Sequence, residues 1–103
     1  MSAPLSEQYR LAALDWVKLD AAARLLEETK STQLASRVKA LGDVPVTTAE
    51  RDVKATPEWR EDLETMVRAR TNANKAKVKL EWIRMRFQEQ MSLEATRRSE
   101  MKL

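Results

Sequence analysis

The chain has 103 residues, 43% of them apolar and 34% charged, with 19 Lys and Arg against 16 Asp and Glu and a formal net charge of +3. It contains no cysteine and no histidine, which removes disulfides, thiol nucleophiles, zinc–thiolate sites and the commonest general base and transition-metal ligand. With one glycine there is no Gly-rich phosphate loop, no apolar run approaches the ~18 residues of a membrane span, and MSAPLSEQYR lacks the basic and apolar regions of a signal peptide.

These bounds lead to the expectation of one soluble, cytoplasmic, all-α domain over residues 1–103, too short to bury a large core by itself. Ser6 reads as an N-cap with Glu7 in the first turn, opening a helix that nothing interrupts before Leu41. Gly42 stands where a left-handed residue ends a helix, so the first helix is expected over 6–41. The connection 42–56 carries Thr47 and Glu50 in the spacing of a capping box, predicting a short helix over 48–54. Thr56 followed by Pro57 marks another start, and the last helix is expected over 57–100.

Tyr9, Ala12, Trp16, Leu19, Ala23 and Leu26 recur at three- and four-residue spacing, and Leu34, Val38 and Leu41 continue the series. The jump from Leu26 to Leu34 passes through "ETKST", where the helix is expected to unwind or bend. Trp59, Leu63, Met66, Ala69, Ala73, Ala76, Leu80, Ile83 and Phe87 form the matching stripe of the last helix. Folded antiparallel about 42–56, the two stripes set large residues against small ones, as the core of a long helical hairpin requires.

Residues 75–82 alternate polar and apolar as a strand would. The flanking "RARTNAN" and "QEQMSLEATRR" are helix sequence, and alternation fails at Trp82–Ile83; a helix is the better reading. On a helix the alternation creates a second apolar face, Val78, Trp82 and Met85, with Val67 and Thr71 extending it. The first helix has its own second series, Leu11, Leu14, Ala21 and Leu25, with Val17 beside it and Lys18 interrupting. One hairpin buries one stripe per helix, so a second stripe on each calls for a partner, most simply a second copy in a four-helix assembly. Leu11, Leu14, Val17, Ala21, Leu25, Val78, Trp82 and Met85 are the oligomer-interface candidates.

Residues 68–86 hold seven basic side chains against Glu81 alone, while residues 1–56 balance. Arg68, Lys75, Lys79 and Arg86 fall together on the outward side of the last helix, the arrangement that phosphate contacts need. Trp82 at their edge could stack on a base or be buried by a partner chain. Arg97 and Arg98, with Lys102, form a second basic cluster at a helix end expected to project beyond the hairpin. Arg70, Lys77 and Arg84 instead flank the core stripe, where Asp15, Asp20 and Glu27 of the first helix could pair with them. Carboxylate pairs such as Glu27/Glu28 and Glu61/Glu64 read as solvated helix faces. No catalytic, cofactor-binding or metal-ligating residue is assigned, and no cofactor is expected.

"AERDVKATPEWREDL" and "NANKAKVKLEWIRMRFQEQMSLEATRRSEMKL" resemble small helical accessory proteins of tailed bacteriophages and prophages, in which a long C-terminal helix ends in Glu-Ala-x-Arg-Arg-x-Glu-Met. The resemblance covers about the C-terminal half and contains no chemically diagnostic motif. It implies a phage accessory factor in the host cytoplasm, encoded near replication and recombination functions. The expectation is therefore a non-enzymatic, homo-oligomeric protein working through protein–protein interaction. Its partners would be itself and a host or phage protein, and no membrane; the alternative is a DNA- or RNA-binding accessory protein using the basic face.

Overall fold

The computed structural model describes residues 3–102, which form four helices: α1 (Leu5–Glu28), α2 (Lys30–Ala40), α3 (Val46–Lys54) and α4 (Pro57–Met101). No strand occurs among them, and residues 75–82 lie wholly inside α4. The chain is elongated, with principal extents of 83 × 23 × 18 Å.

The single first helix expected over 6–41 is two. Thr29 (φ −94°, ψ 3°) separates α1 from α2, and its hydroxyl donates to the Leu25 carbonyl at 2.7 Å, the same oxygen that accepts its backbone N–H at 3.0 Å. Such back-bonding draws the carbonyl ladder out of line and bends helices. The break falls within "ETKST". Beyond it the two segments diverge: α1 lies along α4, whereas α2 lies along α3.

Two start signals are also displaced, for one reason. α1 begins at Leu5 with Pro4 in the N-cap position, and α3 begins at Val46 with Pro45 there. Each proline fixes φ near the value a helix entry needs, and each offers its carbonyl to the first turn: Gln8 N–H donates to Pro4 (3.0 Å) and Ala49 N–H to Pro45 (2.9 Å). Ser6, Thr47 and Glu50 therefore stand inside their helices, with no side-chain cap. At α4 the expected start holds: the Thr56 hydroxyl accepts from the Trp59 N–H at 3.2 Å, and Pro57 is the first helical residue. Gly42 has φ +82°, and its N–H donates to the Lys39 carbonyl at 3.2 Å, closing the end of α2.

Residue numbers descend along α4 as they rise along α1. Glu27 and Asp20 meet Arg70, Trp16 meets Lys77, and Ser6 and Tyr9 share an apolar depression with Arg84 and Phe87. The buried residues of this pair are Ala12 and Ala23 on α1 with Ala73, Ala76 and Ile83 on α4. Ala23 and Ala73 are wholly inaccessible; small side chains there let the helices approach closely while Trp16, Leu19, Leu26 and Leu80 stay half-buried around them. A second cluster, Ala49, Val53 and Trp59, is buried where α3 meets the start of α4, with Leu34 and Leu63 alongside Trp59.

Candidate interaction surface

Every position of the second apolar series is exposed: Leu11, Leu14, Val17, Ala21 and Leu25 on α1, and Val67, Val78, Trp82 and Met85 on α4. Leu25 is 64% exposed and Trp82 54%, so these are open faces rather than rims of the core. Each residue of a helix advances about 100°, which puts the α4 series opposite Ala73, Ala76 and Ile83 and the α1 series opposite Ala12 and Ala23. The two open faces thus point away from the α1–α4 seam.

Arg68, Lys75, Lys79 and Arg86 lie exposed beside the α4 face, and none of them makes an ion pair among the described residues. The Arg86 guanidinium covers the Trp82 ring, 4.9 Å from its centroid, the i, i+4 spacing that stacks neighbours on a helix. Spacing alone left this contact unassigned, although Trp82 and Arg86 stand four residues apart; the cation covers one face of an indole that remains more than half exposed. Arg97 and Arg98 are exposed near the end of α4, in a segment that outruns α1: Pro4, Leu5 and Ser6 lie beside residues 87–94. Arg98 Nε donates to the Glu94 carbonyl at 3.4 Å.

The cations that flank the seam behave differently. Arg70 donates to Asp20 (2.7 Å) and, with a two-point fork, to Glu27 (2.7 and 2.8 Å). Hydrogen bonding from Arg70 holds both carboxyls below their ordinary range, and the two carboxylates raise Arg70 further above its own. Lys77 sits over the Trp16 ring at 5.8 Å without an ion pair, and its charge helps to lower the Asp20 carboxyl. A pair not anticipated, Arg37–Asp62 (2.7 and 3.1 Å), ties α2 to α4, and the carboxylate raises Arg37. The antiparallel register that sets Ala23 near Ala76 also brings residue 37 opposite residue 62, so the pair was within reach of sequence reasoning.

Among the described residues no group of three or more Asp or Glu side chains is placed to hold a metal ion, and no helix is long and apolar enough to cross a membrane. Fold and surface together define an elongated all-helical protein with two open apolar faces, one of them edged by cations. No protein-family model, curated protein or solved structure matches the chain.

Proposed function

We propose that this is a non-enzymatic, homo-oligomeric protein in which α1 and α4 form a helical hairpin, and that it works through protein–protein interaction. One observation carries the reading: large apolar side chains, Leu11, Leu14 and Leu25 on α1 and Val78, Trp82 and Met85 on α4, are all more than half exposed in the single chain. Scattered apolar residues on a surface are ordinary; two series at helical spacing, each on the face away from the core, mark interaction sites. The cationic edge gives such an interface electrostatic selectivity for its partner. The resemblance of the C-terminal half to phage helical proteins supports a role as a phage accessory factor, acting on itself and on a host or phage protein.

Light scattering after size exclusion, over a concentration series, tests the core of this reading. A mass above that of one chain is expected, and Leu25→Glu or Trp82→Glu lowers it. A wild-type chain that runs at the single-chain mass throughout refutes it.

A second reading, binding of DNA or RNA through Arg68, Lys75, Lys79 and Arg86, is favoured by the absence, among the described residues, of carboxylate partners for this row. The cover that Arg86 lays on Trp82 counts against base stacking as part of it.

A further inference from the structure

We infer that the exposed cations of α4 form one continuous track, from Arg68 to Arg97, along which the phosphates of a single-stranded nucleic acid run. The inference rests on the second reading, nucleic-acid binding, and names the polymer and its path.

The track follows from helical rotation. Successive residues turn by about 100°, and α4 runs unbroken from Pro57 to Met101. Arg97 therefore falls within about 20° of the line of Arg68, Lys75, Lys79 and Arg86, roughly eight turns beyond Arg68. Asn72 and Gln90 lie beside the same line with neutral amides. The acids of this span, Glu81, Glu89 and Glu94, are turned from it by about 60° or more. What the spacing suggests as a row and a separate end cluster is thus one stripe, about 43 Å long at 1.5 Å per residue. Arg98 does not belong to it, being turned about 100° from Arg97.

The cations on this line differ from those off it. Arg70 is held by Asp20 and Glu27, Lys77 lies over the Trp16 ring, and Arg98 donates to the Glu94 carbonyl. On the line all five cations are exposed, and none makes an ion pair among the described residues. Arg86 stacks on Trp82, a contact that leaves its charge unneutralised. Arg70 marks the side of the hairpin on which Asp20 and Glu27 lie, and by rotation the stripe is on the other, where Asp15 is the one acid of α1. A line of free cations recognises a polymer of regularly spaced phosphates. A duplex winds its phosphates round its axis about once in 10 base pairs, so they leave a straight line within a few; a single strand is free to follow one. The stripe accepts about 13 nucleotides at the 3.4 Å spacing of a stacked strand, and fewer of an extended one. Phosphate contacts carry no sequence information, so any sequence serves.

Fluorescence anisotropy on the full chain tests polymer and path together, with a labelled oligothymidylate of about 20 nucleotides and a duplex of equal length as probes. The single strand should bind more tightly than the duplex. Arg97→Ala should lower the slope of log affinity against log salt by about 0.7, the share of one phosphate contact. Arg98→Ala, one residue further on, should leave that slope unchanged. Both side chains are exposed beyond the core, so neither substitution threatens the fold. Equal effects of the two variants would reveal a diffuse positive field in place of a track, and a duplex bound as tightly as the strand would mean a different polymer. Either result overturns this inference and leaves the nucleic-acid reading standing. A chain that binds neither probe at low salt removes both; if it then binds phosphatidylglycerol vesicles, the stripe belongs to a lipid surface.

Discussion

Arg70 Nη1 stands 2.7 Å from Asp20 Oδ1, and the same guanidinium forks onto Glu27 two turns away on α1. One residue of α4 thus clasps α1 at two successive levels, beside the Ala23–Ala73 region of the core. Both carboxyls are depressed in the folded chain, Arg70 being the largest cause. A group whose pKa falls on folding stabilises the fold above its unfolded value and loses that contribution as pH drops through the folded value. The melting temperature should therefore hold down to about pH 5 and fall as the carboxylates protonate below about pH 4. Arg70→Met should melt lower at neutral pH and show a shallower acid dependence. Arg70→Lys should recover only part of the difference, because an ammonium lacks the planar fork. Parallel acid profiles for wild type and Arg70→Met would remove the clasp from the stability of the fold. The partial exposure of all three side chains makes the effect salt-sensitive.

Gly42 owes its identity to backbone conformation alone. At φ +82° a side chain is strained, yet a Cβ placed there meets nothing within 4 Å. Gly42→Ala should consequently destabilise by about 1 kcal/mol, the cost of a left-handed alanine, and Gly42→Asn by less, since asparagine tolerates that region. Urea denaturation distinguishes the two. An alanine variant as stable as wild type would show that the end of α2 relaxes to another conformation.

The periodic elements of this fold were legible in the sequence because helical rotation alone assigns their faces. Ala12, Ala23, Ala73, Ala76, Trp59 and Ile83, read as core from spacing, are the buried residues of α1 and α4, whereas Tyr9, Leu41 and Phe87, read into the same stripes, lie exposed; Arg70 was placed beside its carboxylates by the same rotation. What resisted reading depended on competition between neighbours. Pro4 and Pro45 displaced the side-chain caps expected at Ser6 and Thr47, since a carbonyl in the right place needs no hydroxyl. The break at Thr29 falls within the "ETKST" stretch where a bend was expected, but the residue at which it occurs depends on the hydroxyl's bond to the Leu25 carbonyl. The open faces were legible as a pattern, whereas their position on opposite edges emerges only once α1 is set along α4.

The cation row makes a separate demand on nucleic-acid binding. Should Arg68, Lys75, Lys79 and Arg86 contact phosphates, affinity for single-stranded DNA by fluorescence anisotropy will fall with log salt at a slope of about 0.7 per contact. Lys75→Glu with Lys79→Glu will then abolish binding. Trp82→Ala should weaken it far less, because Arg86 already stacks on one face of the ring. Binding retained by the double variant excludes the row as the contact surface. A large loss in Trp82→Ala would instead mean that a base stacks on the ring.

The two faces of α4 can also be told apart by their energetics. Ile83 is 2% exposed against α1, so Ile83→Ala should cost about 2–5 kcal/mol, the transfer and cavity cost of a truncated core aliphatic. The cost should not depend on protein concentration, since the cavity lies within one chain. Val78 is 66% exposed, and Val78→Ala in a dilute monomer should change stability by no more than about 0.5 kcal/mol. If the open face is covered by another copy, the Val78 penalty grows with concentration, because association adds its own free energy to the folded state. Denaturation of both variants and the wild type at two widely separated concentrations measures this. An Ile83 penalty independent of concentration beside a Val78 penalty that rises with it assigns the first residue to the seam within the chain and the second to a seam between chains. Equal behaviour at both sites would leave Val78 on a merely solvated face.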